Sequence, residues 1–107
     1  DYFVRDGENV ILELNISYPT AVLGGKIEIP VIGGKAGLKI PPGIQSGQVL
    51  RMKGKGFPHL RGRSNGDQLV KIQINTPKNI SKSVKKIIEN LGKEIEEIKK
   101  PFTKIDL

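Results

Sequence analysis

The sequence predicts a mainly β fold: a small two-sheet β-sandwich or barrel of short strands, followed by a C-terminal amphipathic α-helix. Three observations predict it. Short runs alternating apolar and polar residues recur over residues 1–77. Glycine and proline clusters separate those runs. After Pro77 the apolar spacing changes from two residues to three and four.

The first run is Val10 to Ser17, with Val10, Leu12, Leu14 and Ile16 on one face and Glu13, Asn15 and Ser17 on the other. That is the signature of a half-buried strand. Lys26 to Val31 repeats it, and Pro30, which has no N–H to donate, belongs at an edge, a bulge or a strand end. Ala36–Ile40, Gln48–Met52 and Gln68–Thr76 supply three more strands, the last with Val70, Ile72 and Ile74 on one face. Between them fall Gly24-Gly25, Gly33-Gly34, Pro41-Pro42-Gly43, Gly54-Lys55-Gly56-Phe57-Pro58 and Asn65-Gly66-Asp67. Many short strands so punctuated indicate a small sandwich or barrel. Gly33-Gly34 reads as a tight hairpin, and the stretch from Gly54 to Gly66 as a long basic loop.

Ser81 can cap a helix, because its hydroxyl accepts from the free N–H groups of the first turn. Val84, Ile88, Leu91, Ile95 and Ile98 then form a heptad seam. Gly92 interrupts it at a cost of about 1 kcal/mol relative to Ala, and Pro101 ends it. Ser81–Lys100 is thus one amphipathic helix, or two hinged at Gly92. The expected division is a β-sandwich over residues 1–77 and a helix with a dimerisation tail over residues 78–107. A helix of about 18 residues is about 27 Å long, which rivals the width of so small a sandwich. The first half, Val84 to Leu91, is therefore assigned to the domain's own core. Ile95, Ile98, Phe102 and Ile105 would then be exposed in a monomer, and such clusters usually meet a partner. They are the candidate dimerisation residues; the bland alternative is a helix that only covers an open side of the sheet.

The bulk properties limit what this fold can do. A chain of 107 residues is the size of one domain. Aromatics are 5%, so the core falls to Ile, Leu and Val. No apolar run approaches the roughly 18 residues that span a bilayer. The opening, Asp1 to Arg5, lacks both the basic and the apolar part of a signal peptide, and it lacks Met, as expected for a fragment of a longer protein. With no cysteine, disulfides and thiolate metal sites are excluded and a reducing, cytoplasmic setting fits. His59 stands alone and cannot build a metal site.

The net charge of +7 raises nucleic-acid binding as an alternative. The excess is diffuse, however: residues 1–77 carry ten basic and six acidic residues, and residues 78–107 carry eight and five. Lys53, Lys55, Arg61 and Arg63 in the basic loop could grip an anion, but only Phe57 and Tyr18 offer a stacking face. A search for catalysis finds no phosphate loop, no nucleotide-binding glycine fingerprint, no serine elbow and no nucleophile–base pair. No enzyme and no cofactor are expected.

The motifs converge on one family. Phe3-Val4-Arg5-Asp6-Gly7-Glu8-Asn9-Val10 resembles the opening of the second C-terminal β domain of DnaJ co-chaperones. Ala21-Val22-Leu23-Gly24-Gly25 resembles that family's A-x-L-G-G, and Leu38-Lys39-Ile40-Pro41-Pro42-Gly43-Ile44-Gln45-Ser46-Gly47 its L-K-I-P-x-G-T-Q-x-G. Leu50 to Gly56 with Pro58 resembles R-[LM]-x-G-K-G-x-P. Gly66-Asp67 with Leu69-Val70 resembles G-D-L-x-V, from which Gln68 departs slightly. Thr76-Pro77 resembles the T-P before the terminal helix. These blocks keep the family's order from residue 3 to about residue 91, and the tail beyond matches no motif.

The resemblance implies two small sheets closing on an apolar core, with a terminal helix. It implies a module that holds non-native polypeptide for a DnaK-type chaperone, within a V-shaped homodimer joined near the C-terminus. The His-Pro-Asp signature and the cysteine-rich zinc module of full-length relatives are absent here, so neither ATPase stimulation nor zinc is expected of this segment. Client binding by such domains adds an extended peptide to a sheet edge beside apolar pockets. By resemblance to the sister domain's groove, the candidate lining is Leu12, Leu14, Ile29 and Val31. Alternation puts each pair on one face and leaves open whether that face is groove or core. A dimerising spacer that binds nothing is the third reading.

Overall fold

The computed structural model describes residues 2–58 and 65–95, together with Phe102. The chain divides into two compact units, Asp1–Thr76 and Pro77–Leu107. The first holds β1 (Phe3–Asp6), β2 (Asn9–Ser17), α1 (Tyr18–Leu23), β3 (Gly25–Val31), β4 (Gly34–Ile40), β5 (Val49–Met52) and β6 (Gln68–Asn75). The second holds α2 (Lys82–Glu94).

All five runs found by alternation are strands, with ends shifted by one or two residues. They form an open four-stranded sheet in the order β1-β2-β6-β5 and a two-stranded sheet β3-β4. Among the described residues this is a pair of sheets and not a closed barrel. β2 and β6 are parallel neighbours, from Val10 opposite Gln68 to Ser17 opposite Asn75; the other pairings are antiparallel.

The core lies between the sheets. Leu12 and Ile16 of β2 and Val70 and Ile72 of β6 meet Ile29, Leu38 and Ile40 of the smaller sheet, and Ala21 and Ile44 seal the end. Gln68, fully buried, crosses between the sheets: its Nε2 donates to the Pro30 carbonyl at 2.9 Å, while its Oε1 has no partner among the described residues. Pro30 sits within β3, whose sole partner among the described residues is β4, so its missing N–H costs no ladder bond on a second side. The β3–β4 hairpin turns on Ile32 and Gly33 with Gly33 at φ +80°, and Gly34 already belongs to β4.

Two elements escape the alternation pattern. β1 has only four residues, mostly exposed, and pairs with the first part of β2. α1 is a six-residue helix capped by Ser17, whose Oγ accepts from the Thr20 N–H. It stops at Gly24, where φ is +74° and a Cβ would come within 2.7 Å of the Ile40 carbonyl oxygen.

α2 starts as expected, with Ser81 Oγ accepting from the Val84 N–H at 3.2 Å. It runs unbroken through Gly92 and ends at Glu94, before an extended Ile95. The expected single helix from Ser81 is therefore interrupted at Ile95, and residues 96–100 lie outside the described residues. Gly92 weakens the last turn, and Glu94 puts negative charge where the helix dipole disfavours it. Within its own unit α2 has no buried residue, and Val84, Ile88 and Leu91 are exposed. The apolar stripe is wider than the seam, because Ile87, 66% exposed, belongs to it. Ile95 and Phe102 are exposed as expected, and Ile98 and Ile105 lie outside the described residues.

Candidate functional site

β1 is four residues long and β2 nine, and this mismatch opens an edge. The register from Asp6 opposite Asn9 to Phe3 opposite Leu12 leaves Glu13–Ser17 without a strand partner on that side, among the described residues. Backbone alternation fixes which groups face outward. The Val10 N–H donates to the Asp67 carbonyl on the β6 side at 3.0 Å. Even-numbered residues of β2 therefore turn their amides toward β6, and Glu13 and Asn15 turn theirs to the open edge. Such unpaired N–H and C=O groups are a ready template for another extended chain.

An open cleft of about 520 Å³ runs beside this edge, lined by Tyr2, Leu12, Glu13, Leu14 and Asn15 on one side and Glu28, Ile29, Pro30 and Lys35 on the other. Three of the four candidate residues, Leu12, Leu14 and Ile29, line it, and Val31 does not. They differ in what they offer. Leu12 and Ile29 are buried in the core and form the floor, and Val31 is buried as well. Leu14 is half-buried and packs on the core from its margin, so part of its side chain is open to a ligand. Tyr2, Glu13 and Asn15 were missed, because they line the cleft only through where β1 stops. Across the cleft Glu28 and Lys35 make an exposed ion pair at 3.7 Å.

The Gly-Lys-Gly-Phe-Pro stretch is a second dense cluster, and its base is built for structure. The Phe57 N–H donates to the Glu8 carbonyl at 2.8 Å; the Gly66 N–H donates to Phe57 O at 2.7 Å and the Gly56 N–H to Gly66 O at 2.8 Å. The Phe57 ring is half-buried and carries the Arg5 guanidinium 4.4 Å from its centroid, so it has no free face for a base on that side. Asp67, part of the Asn65-Gly66-Asp67 separator, is the hub. Its Oδ1 accepts from the Gly54 N–H at 2.9 Å, its Oδ2 pairs with Arg51, and its own N–H donates to Asn9 Oδ1 at 2.8 Å. The Gly54 N–H, and then Arg51, hold the Asp67 carboxyl below the ordinary carboxylate range against the opposing effect of partial desolvation. Of the possible anion grip, Lys53 and Lys55 are exposed, and Arg61 and Arg63 lie outside the described residues, as does His59.

Among the described residues no His, Cys, Asp and Glu group could hold a metal ion, and no helix is long and apolar enough to cross a membrane. The family model described as the DnaJ C terminal domain matches residues 1–77. The chain belongs to the DnaJ C-terminal domain family. Curated relatives agree: the Chaperone protein DnaJ of Fusobacterium nucleatum subsp. nucleatum is 47% identical over 97 residues, which are 91% of this chain and 25% of that protein. Those of Oceanobacillus iheyensis and Roseiflexus sp. are each 42% identical, over 86% and 89% of this chain and 24% and 26% of theirs. The chain thus spans about a quarter of the length of these relatives.

Proposed function

We propose that this DnaJ C-terminal domain holds extended segments of non-native polypeptide by strand addition along the open edge of β2. The observation that carries the reading is the five-residue run Glu13–Ser17, unpaired on one side and bordered by the cleft where Leu14 is accessible. Main-chain bonds to Glu13 and Asn15 are indifferent to client sequence, and the apolar wall of Leu12, Leu14 and Ile29 rewards large side chains. In the longer protein the client would pass to a DnaK-type chaperone in the cytoplasm. The exposed stripe of α2, continued through Ile95, Ile98, Phe102 and Ile105, would join two copies into a homodimer.

Fluorescence anisotropy of the domain with an unfolded apolar peptide and with a single-stranded oligonucleotide, each at low and high salt, tests this reading. Peptide binding that survives high salt is expected, because apolar burial barely responds to salt. Oligonucleotide binding that falls steeply with salt, with no peptide binding, would replace it by the nucleic-acid reading.

A further inference from the structure

We infer that this edge is selective, preferring extended segments in which a lysine or arginine stands between two large apolar residues. The inference rests on the peptide-binding reading and deepens it. It starts from a local reversal of charge. The chain carries +7 overall, yet the cleft is lined by Glu13, Glu28 and Lys35. Glu28 and Lys35 answer each other across 3.7 Å. Glu13 makes no ion pair among the described residues; Lys71 stands opposite it on β6, on the side away from the open edge. Glu13 is therefore a carboxylate beside the open edge that makes no ion pair among the described residues.

Strand geometry places that carboxylate relative to an added chain. An antiparallel strand continuing the line of β1 would set successive residues opposite Leu14, Asn15 and Ile16. The residues opposite Leu14 and Ile16 point to the inner face, where Leu12 and Ile29 form the apolar floor. The residue between them points to the outer face, diagonal to Glu13. Diagonal neighbours across a pair are about 7–8 Å apart, within reach of a long side chain. Lys or Arg there gains Glu13, and Asp or Glu is repelled.

Three peptides that differ only in this middle residue, Lys, Gln or Glu between two large apolar residues, are titrated by anisotropy at low and high salt. The expected order of affinity is Lys over Gln over Glu, with steps of about two- to fivefold that shrink at high salt. Glu13→Gln flattens the series, and a far-ultraviolet circular dichroism spectrum and urea midpoint equal to wild type show that its fold is intact. Glu13→Lys inverts it. The total charge of +7 acting at long range predicts the opposite order in the wild type, so tightest binding of the Glu peptide overturns the inference. Equal affinities, or an order unmoved by Glu13→Lys, overturn it while leaving strand addition standing. No binding of any peptide removes both.

Discussion

Gly66→Ala should be among the most damaging single-methyl changes in the β unit. A Cβ at Gly66 would lie 2.5 Å from the Glu8 carbonyl carbon and closer still to its oxygen. That carbonyl is backbone and already accepts from the Phe57 N–H at 2.8 Å. Ordinary contact needs a shift of nearly an ångström, which opens the Phe57–Glu8 bond and strains the paired bonds between Gly66, Phe57 and Gly56. Overpacking of this kind costs about 1–3 kcal/mol, and a lost hydrogen bond about 1 kcal/mol. Together they give about 2–4 kcal/mol, or a fall in Tm of roughly 10–30 °C for a domain of this size. Urea titration followed by circular dichroism measures it. Gly34→Ala is the control: nothing lies within 4 Å of its Cβ, it sits in a strand, and its φ is not positive. It should stay within about 0.5 kcal/mol of wild type. A Gly66→Ala protein as stable as Gly34→Ala would refute the tight neck at the base of the loop.

Other outcomes follow from the same geometry. Asp67 has a lowered pKa in the folded state, so its contribution to stability is complete above the ordinary carboxylate pKa and is lost as pH falls through the lowered folded value. Asp67→Asn should therefore flatten the acid limb of a stability–pH curve; an unchanged limb would show that the ties to Gly54 and Arg51 contribute little. Gly92→Ala fills open space within α2 and should raise helix content by circular dichroism, stabilising the helix by about 1 kcal/mol. Ile87→Lys, at the most exposed position of the α2 stripe, should dissociate the proposed homodimer in sedimentation velocity, as should Ile95→Lys. Persistence of the dimer in both would exclude this stripe as the interface.

The strands were legible because the core has one face per strand. Even-numbered residues of β2 and β6 point inward with few exceptions, so alternation alone located them. α1 was not legible by period, since six residues complete under two turns; its signals are local, Ser17 as cap, Pro19 in the first turn and Gly24 at the stop. β1 has four residues with one partly covered side, too short to show alternation. The parallel pairing of β2 with β6 joins residues 58 apart in sequence, as in Val10 with Gln68, and leaves no local mark. Neither does the open edge, which exists only as a difference in length between β1 and β2. Hence Leu12, Leu14 and Ile29 could be named from pattern and resemblance, whereas Glu13, Asn15 and Tyr2 could not. The α2 stripe teaches a related lesson: amphipathic spacing says which side of a helix is apolar, not what covers it.

Amide hydrogen exchange, read residue by residue with and without an extended apolar peptide, tests the central claim most directly. Strand addition predicts that the Glu13 and Asn15 amides become protected on binding, while Leu12 and Leu14, already bonded toward β6, change little. Binding that leaves Glu13 and Asn15 exchanging as in the free domain would contradict it and move the client elsewhere.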